Sequence, residues 1–197
     1  MRKHLHPGPD PLQWSGVRMY RGAACMRPFM DGATMAIVDG PGGVELVTYP
    51  IAADLVNWVL LVEDHAAGRL PGDARWNHPA EPDTVVAYVA GWNLDWLDVA
   101  ALPRLSEQVF EYPMVDRDAL PHWGIGAVTL LGDAAHPMYP VGANGASQAI
   151  VDARVLAEEL ESDPVTGLRA YERNRRPATA EIVAANRAMH AAGTKRI

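Results

Sequence analysis

The stretch that decides the fold is "VTLLGDAAHPMYPVGANGASQAIVDARVLAEEL", Val128–Leu160. Its first part belongs to an apolar run, "GAVTLLGD" at residues 126–133, which predicts a compact strand buried on both faces. A loop rich in Gly, Pro and Ala follows the Gly132-Asp133 pair. A helical pattern then begins near Gly145. The stretch therefore predicts a strand, a stiff loop and a helix, in that order.

This order of elements has a chemical meaning. A strand that ends in Gly-Asp delivers one carboxylate to the carboxyl edge of a sheet, where open α/β sheets bind their ligands. Gly132 lets the backbone approach a ligand closely, and Asp133 can accept hydrogen bonds from ligand hydroxyls. The first turn of the next helix offers unpaired N–H groups and roughly half a positive charge. We expect a ligand with a hydroxylated chain that ends in a ring able to become anionic.

Composition restricts the class of protein. The 197 residues are 49% hydrophobic and 21% charged, as in ordinary globular proteins. No run of about 18 apolar residues predicts a membrane span, and the N-terminal residues lack the apolar core of a secretory signal. The net charge of −7 and the pI near 5.4 argue against nucleic acid as a partner. The cytoplasm is the expected compartment.

Cysteine usage narrows the chemistry further. The chain has one cysteine, Cys25, so an internal disulfide framework and a multi-cysteine zinc site are excluded. We expect Cys25 to be a small buried filler and expect no metal site; the two histidines of "HLH" at residues 4–6 are expected to be solvated.

The rest of the chain predicts a sheet followed by helices. Three predicted strands, at residues 34–39, 44–50 and 56–63, indicate an antiparallel meander. A "GPGG" turn at Gly40–Gly43 separates the first two. Residues 64–82 are typical of a surface loop. Two short helices are predicted at 83–92 and 98–109, and a strand that returns to the sheet at 108–117.

The C-terminal part of the chain is predicted to be helical from about Gly145 onward. A break is expected at 162–167, and Pro177 predicts a kink or a new helix start. The apolar spacing of Ile150, Ala153, Ala157 and Leu160 predicts the core-facing side of the first helix. The basic run at residues 169–177 is expected to be a solvated helix face.

The segment "GDAAHPMYPVGANGASQAIVDA" resembles the C-terminal flavin motif of the FAD-dependent aromatic hydroxylases, the p-hydroxybenzoate and salicylate hydroxylase superfamily. The segments "WSGVRMYRG", "NWVLLVE" and "EYPMVDRDALPHW" resemble most the phenazine monooxygenase branch. The resemblance implies an α+β fold. A mainly antiparallel substrate-side sheet would occupy residues 1–125, and residues 126–197 would supply the C-terminal strand and helices of a Rossmann-like FAD-binding domain.

The resemblance also implies roles for single residues. Asp133 would bind the ribityl chain of FAD, the loop would line the isoalloxazine ring, and the helix start would face the pyrimidine end of the ring. The implied cofactor-binding residues are Gly132, Asp133, Pro140, Gly142, Ala143, Asn144, Gly145, Ala146 and Ser147. A small aromatic substrate would meet Trp14, Trp58 or Tyr112, with NAD(P)H as reductant and O₂ as co-substrate. No side chain is implied as a catalytic acid or base, because the cofactor carries the chemistry.

Two family motifs have no counterpart in this sequence. There is no Gly-x-Gly-x-x-Gly turn, since the Gly40–Gly43 turn lies between strands, and the middle Asp-Gly motif is missing, although Arg2 could match its terminal Arg. We therefore expect the N-terminal βαβ half to be absent, one side of residues 128–131 to be exposed, and FAD to bind weakly to the lone chain. A separate N-terminal chain or self-association would complete the site; alternatively, the chain is a non-catalytic remnant or the assembly partner of a split flavoprotein.

A hydrolase is the remaining alternative. "GASQA" at Gly145–Ala149 differs from the nucleophile elbow Gly-x-Ser-x-Gly at one position, the last. In this alternative, Ser147 and His136 would form a serine hydrolase site. The elbow requires a strand directly before the serine, whereas a loop precedes Ser147 here. A structural role is therefore favoured for His136.

Overall fold

The computed structural model of the chain describes residues 1–64, 66–70, 74–161 and 163–193. The chain forms two compact units, each discontinuous in sequence. Unit 1 comprises Met1–Ser15, Gly68–Gly72 and Val115–Ile197, and unit 2 comprises Gly16–Ala67 and Asp73–Met114. The sequence predicts a different division, between a substrate-side part at residues 1–125 and an FAD-binding part at residues 126–197. That division stays a prediction.

The described residues form seven strands and five α-helices. The strands are β1 (Leu12–Cys25), β2 (Ala36–Asp39), β3 (Val44–Ala52), β4 (Leu55–Glu63), β5 (Gly68–Leu70), β6 (His78–Pro79) and β7 (Ser106–Asp116). The helices are α1 (Arg2–Leu5), α2 (Pro82–Tyr88), α3 (Ala101–Arg104), α4 (Asn144–Glu159) and α5 (Pro164–Ala191). None of the helices in this described part combines the length and the apolar character needed to span a membrane.

The antiparallel sheet is confirmed. Its strand order is β2-β3-β4-β1-β7-β6, and β5 pairs with the first residues of β1. β2, β3 and β4 form the predicted meander, with Val38 opposite Leu46 and Val47 opposite Val59. The turn between β2 and β3 places Gly42 and Gly43 at φ values of 69° and 73°, which only glycine adopts without strain.

The core of unit 2 lies between one face of this sheet and the short helices α2 and α3. Tyr20 and Ala24 of β1 and Trp58 and Leu60 of β4 pack there against buried side chains of α2 and α3. Trp58 is 1% exposed, and its indole N–H donates to Ser106 Oγ at 2.9 Å. Trp58 is thus fully satisfied within the core.

Three predictions for residues 25–109 are wrong. The predicted helix at 98–109 shortens to α3, because residues from Ser106 onward join the sheet as β7. The loop predicted at 64–82 contains β5 and β6, while residues 65 and 71–73 of it lie outside the described residues. Cys25 was expected to be buried and is exposed, because it is the last residue of β1 and faces away from the core.

The buried strand predicted at residues 126–133 is wrong. Apart from an isolated bridge between Ile125 and Val128, this segment forms no strand. Leu131 keeps an extended backbone, with φ −147° and ψ 149°, and is 40% exposed. A strand exists only through hydrogen bonds to a neighbouring strand, and beyond that bridge none of the described residues pairs with this segment as a strand. The segment then enters a single 3₁₀ turn at Gly132–Ala134.

The predicted core face of α4 is also wrong. Ile150 is 71% exposed, and Ala153, Ala157 and Leu160 are exposed as well. The helix instead buries Asp152 and Val155, with Val151 and Leu156 packed against the same cluster. Both faces carry apolar residues at helical spacing, so spacing alone could not choose between them.

α5 continues through Pro177 as one helix of 28 residues, so no new helix starts there. Asp163 caps its N-terminus by accepting a hydrogen bond from the Thr166 N–H at 2.8 Å. The expectation of a solvated face at 169–177 fails for three residues, since Tyr171, Glu172 and Arg175 are buried. Arg175 is buried because it has an acidic partner on α4, described below.

Gly22 allows close packing in the core of unit 2. A Cβ at this position would lie 2.8 Å from Trp58 Cζ2 and 2.9 Å from Ser106 Oγ. We predict that Gly22→Ala lowers the free energy of unfolding by about 1–3 kcal/mol, the usual cost of overpacking. Gly68→Ala in β5 is the matched control, because a Cβ there meets nothing within 4 Å. Urea unfolding followed by tryptophan fluorescence measures both, and equal stability of the two variants would contradict this packing.

Candidate functional site

A cleft of about 520 Å³ lies in unit 1, at the start of α4. It is lined by Asp133, Met138, Tyr139, Pro140, Ala143, Gly145, Ala146 and Ala149. Five of the nine predicted cofactor-binding residues are thus brought together here: Asp133, Pro140, Ala143, Gly145 and Ala146. The other four, Gly132, Gly142, Asn144 and Ser147, belong to the same segment, residues 132–147, but are not among the lining residues. Its volume falls within the range of about 300–1,000 Å³ that is typical of small-molecule sites.

The Gly132-Asp133 turn is held rigidly by its backbone. Gly132 has a φ of 54°, and its carbonyl accepts hydrogen bonds from the N–H groups of Ala135 at 2.8 Å and His136 at 2.9 Å. A Cβ on Gly132 would lie 3.3 Å from the Ala149 Cβ, so α4 approaches this turn closely. Asp133 is exposed, and within the described ranges its carboxylate has no recorded hydrogen bond or ion pair. The structure therefore presents an available carboxylate on a fixed turn.

The loop before α4 ends in two successive left-handed residues. The Ala143 N–H donates to the Pro140 carbonyl at 2.9 Å, which closes a four-residue turn with Gly142 at φ 79°. Ala143 follows with φ 52° and ψ 33°, a conformation that costs energy for a residue other than glycine. No side chain caps α4, so the N–H groups of its first turn are available to a ligand.

A buried carboxylate on α4, that of Asp152, holds the turn at Gly132 in place. Asp152 is fully buried; its Oδ2 accepts a hydrogen bond from the Gly132 N–H at 3.0 Å and lies 2.5 Å from His136 Nε2. Its Oδ1 accepts a hydrogen bond from Arg175 Nε at 2.8 Å, and Arg175 Nη2 donates to Gln148 Oε1 at 2.6 Å. We call Asp152, His136 and Arg175 the Asp152 cluster.

The Asp152 cluster keeps its carboxylate charged. Burial raises the pKa of Asp152, but the hydrogen bonds from His136, Arg175 and the Gly132 backbone outweigh burial and hold that pKa below its ordinary value. Neither Asp152 nor Arg175 was identified from the sequence. The available signal was an aspartate on the helix beside Val151 and Val155, a position where an unpaired charge would be costly.

Further contacts hold the loop from the other side. Arg2 Nη1 donates to the carbonyls of Ala134 and Ala135 at 3.1 and 2.9 Å, while Arg2 Nε pairs with Asp10 at 2.6 Å. Asn186 Nδ2 donates to the Tyr139 carbonyl at 3.1 Å, and burial raises the pKa of Tyr139 to about 12. Residues from both ends of the sequence of unit 1, Arg2 and Asn186, thus contact this loop.

The three predicted substrate residues occupy different environments. Trp14 is a half-buried residue of β1 in unit 1. Trp58 lies in the core of unit 2, and that packing does not favour a substrate contact. Tyr112 of β7 is half-buried beneath the Arg21 guanidinium, whose carbon is 5.0 Å from the ring centroid. Their contact with a substrate stays a prediction.

The geometry does not support the serine hydrolase. His136 Nε2 faces Asp152, and the structure records no hydrogen bond between His136 and Ser147, both of which lie in the described part of the chain. Ser147 lies in the first turn of α4, with the 140–143 loop and not a strand before it. The described residues also contain no group of three or more His, Cys, Asp or Glu side chains suited to a metal ion.

Comparison with known proteins identifies the class of this site. Residues 96–186 match the family described as FAD binding domain. A phenazine 1,6-dicarboxylic acid hydroxylase (PhzS) of Lysobacter antibioticus is 47% identical over 196 residues, covering 95% of this chain and 48% of that protein. A 3-amino-4-hydroxybenzoate 2-monooxygenase of Streptomyces platensis is 43% identical over 189 residues, covering 92% of this chain and 45% of that protein.

Solved structures show the same fold. A salicylate hydroxylase in complex with its substrate is 25% identical, with a TM-score of 0.66, and the match covers 90% of this chain and 47% of that one. A Klebsiella pneumoniae HpxO structure, complexed with FAD and uric acid, is 21% identical with a TM-score of 0.71, and covers 95% of this chain and 47% of that one.

The cleft lies in the segment that matches the FAD binding domain family. The resemblance of residues 132–153 is confirmed, because this chain is similar over nearly its whole length to FAD-dependent aromatic monooxygenases. The chain spans about half the length of the curated relatives it matches.

The Asp152 cluster leads to a prediction about stability. Asp152→Ala leaves Arg175 and the Gly132 N–H without their buried partner, and we expect it to lower the free energy of unfolding by about 3–5 kcal/mol. Glu158→Ala on the same helix removes only an exposed pair with Arg154 at 3.8 Å, and should change that free energy by less than about 0.5 kcal/mol. Urea unfolding followed by circular dichroism decides, and a loss below about 1 kcal/mol for Asp152→Ala would show that the cluster is not a structural centre.

The lowered pKa of Asp152 leads to a prediction about pH. A carboxyl group whose pKa is lower in the folded state stabilises that state above its unfolded pKa, about 3.9 for Asp, and loses this contribution as pH falls through the folded pKa. The stability difference between the parent and Asp152→Asn should therefore be largest near neutral pH and shrink below about pH 4. Unfolding titrations at a series of pH values measure it, and a constant difference would mean that another group controls the acid sensitivity.

Proposed function

We propose that this chain forms the riboflavin-facing part of an FAD site in an enzyme that hydroxylates an aromatic carboxylic acid with NAD(P)H and O₂. The observation that carries this proposal is the pairing of an unoccupied hydrogen-bond acceptor, Asp133, with the uncapped start of α4 around one cleft. When bound, FAD would pass electrons from NAD(P)H to O₂, so that one oxygen atom of O₂ enters the aromatic ring and the other leaves as water.

The residues of this chain would bind and polarise the flavin. The Asp133 carboxylate accepts hydrogen bonds from hydroxyls of the ribityl chain. The N–H groups of the first turn of α4 face the pyrimidine end of the ring and stabilise negative charge there. Small side chains at Ala143, Gly145 and Ala146 let the ring approach this helix start. Met138 and Tyr139 also line the cleft.

The relatives support an aromatic carboxylate as the substrate class. Four curated relatives are named for phenazine 1,6-dicarboxylic acid, 3-amino-4-hydroxybenzoate, 3-hydroxybenzoate and 6-hydroxynicotinate. Each of these compounds carries a carboxylate on a flat aromatic ring. By analogy, we propose that the substrate of this chain combines the same two features.

The adenine and pyrophosphate part of FAD would be held by groups outside this sequence. The 197 residues contain no Gly-x-Gly-x-x-Gly turn, which is the usual cradle for a dinucleotide pyrophosphate. A further polypeptide segment, a separate N-terminal chain or a second copy could supply those groups. A second candidate function is the alternative stated from the sequence, in which the chain acts as the assembly partner of a split flavoprotein and does not turn over by itself.

Flavin titration of the purified chain tests this proposal. Because the chain's own contacts are to the riboflavin part, FAD and riboflavin should bind with affinities within about tenfold of each other. Asp133→Asn should weaken both by about tenfold or more, since it removes a charged acceptor without disturbing any recorded contact. Glu158→Gln is the control, an exposed carboxylate near the far end of α4, and should bind both flavins as the parent does.

The alternatives give distinct results in the same titration. Equal affinity of parent and Asp133→Asn would refute the role of Asp133. FAD bound about a hundredfold more tightly than riboflavin would show that this chain also holds the adenylate part. Failure of the folded chain to bind either flavin would leave the assembly-partner role as the better description.

A further inference from the structure

The last two turns of α5 contact one wall of the cleft at the start of α4. Tyr139 lines that cleft, is 5% exposed and belongs to the loop that leads to α4. Asn186 Nδ2 donates to the Tyr139 carbonyl at 3.1 Å, and the His190 ring meets the Tyr139 ring edge to face, with 5.7 Å between the centroids. Asn186 and His190 lie one turn apart on the same side of α5. We call these two residues the α5 pair.

The carbonyl groups that the α5 pair contacts fix the orientation of its atoms. A carbonyl oxygen can only accept, so the Asn186 amide presents its NH₂ group to Tyr139 and its Oδ1 points elsewhere. His190 Nε2 lies 3.0 Å from the Ser15 carbonyl oxygen, so Nε2 carries a hydrogen and donates it. In neutral His190 the other ring nitrogen, Nδ1, is therefore an acceptor.

The α5 pair contains two buried acceptors that lack a donor. Asn186 is 1% exposed, and neither its Oδ1 nor His190 Nδ1 has a hydrogen-bond partner among the described residues, although both atoms are buried. A buried acceptor without a donor is costly, and two acceptors cannot bond to each other. One proton on His190 Nδ1 would turn this atom into a donor, one helical turn from the acceptor Asn186 Oδ1. A single protonation would thus satisfy both atoms.

The charged groups around the histidine of the α5 pair do not oppose that proton. On α5 itself, Arg187 pairs with Asp116 at 2.7 Å and with Asp118 at 2.9 Å. Arg69 of β5 also acts on Asp118, and burial raises the pKa of Tyr139 to about 12, so its hydroxyl is neutral. Two cations and two anions balance in this set. Hydrogen bonding, and not a net field, therefore decides whether the proton binds.

We propose that the α5 pair positions the Tyr139 wall of the cleft and holds it more firmly when His190 is protonated, through a hydrogen bond from Nδ1–H to Asn186 Oδ1. Histidine side chains in general titrate near pH 6.5, so about pH 5.5 and about pH 8 bracket the change. The effect on flavin rests on the proposed function, whereas the effect on the loop does not require a flavin.

Hydrogen exchange of the Ala143 amide tests the proposal on the intact 197-residue chain without flavin. The Ala143 N–H closes the loop by donating to the Pro140 carbonyl. Its protection factor, which corrects for the intrinsic pH dependence of exchange, should be about threefold to tenfold higher at about pH 5.5 than at about pH 8, as expected for one added hydrogen bond. The Gly167 amide, which donates to the Asp163 carbonyl at the start of α5, is the internal control and should show no such difference.

Single variants separate the α5 pair from other titrating groups. His190→Phe keeps a ring against Tyr139 but cannot bind a proton, and Asn186→Leu removes both amide contacts; each should abolish the pH difference in protection. His4→Gln, at an exposed histidine of the same unit, is the matched control and should keep the parent's difference. His136 is present in every variant, so its titration cannot produce a difference between them. His190 is only half-buried, so His190→Phe decides even if Asn186→Leu fails to fold.

Equal protection of the Ala143 amide at both pH values in the parent would overturn the proposal, and so would a pH difference that survives in His190→Phe. Riboflavin titration separates this failure from that of the proposed function. The parent should bind riboflavin about threefold to tenfold more tightly at about pH 5.5 than His190→Phe does, and equally at about pH 8.

The two readouts assign each failure to one hypothesis. The expected exchange result without riboflavin binding by the parent would refute the proposed function and keep the role of the α5 pair in the loop. Riboflavin binding that depends on Asp133 but is the same in the parent and His190→Phe at both pH values would refute the link between the α5 pair and flavin.

Discussion

The cleft at the start of α4 depends on one buried charge, the carboxylate of Asp152. This single group holds Gly132 through its backbone, His136 through its ring and Arg175 through its guanidinium. It therefore joins the Gly-Asp turn, α4 and α5. A buried carboxylate without partners would cost several kcal/mol, so the three donors must be present together for the turn to form. The position of Asp133 follows from that requirement.

Two features at the junction of the loop and α4 cost folding free energy. Ala143 adopts a left-handed backbone, and the first turn of α4 lacks a capping side chain. Each of these features costs folding free energy, of the order of 1 kcal/mol for each. A protein under selection for stability alone would place glycine at residue 143 and serine or aspartate at the cap. Leaving the N–H groups uncapped makes sense if a ligand accepts their hydrogen bonds.

The sequence allowed the local features of this site to be predicted, but not the long-range ones. The Gly132-Asp133 turn and the helix start near residue 145 were predicted because glycine, proline and helix periodicity act over a few residues. The strand at 126–133 was wrong because a strand exists only through a neighbour distant in sequence. The buried face of α4 was wrong for a related reason: two apolar faces were available, and the pairing of Asp152 with Arg175, which is 23 residues away, selected between them.

The boundary between the two units falls within a single strand, β1. β1 contributes Leu12–Ser15 to unit 1 and its remaining residues to unit 2, and the boundary falls at Gly16, whose φ is 89°. Only glycine adopts that backbone at little cost, so one strand can change direction there while its carbonyl still accepts a hydrogen bond from the Asp64 N–H at 2.9 Å. The cleft at the start of α4 draws all its lining residues from unit 1.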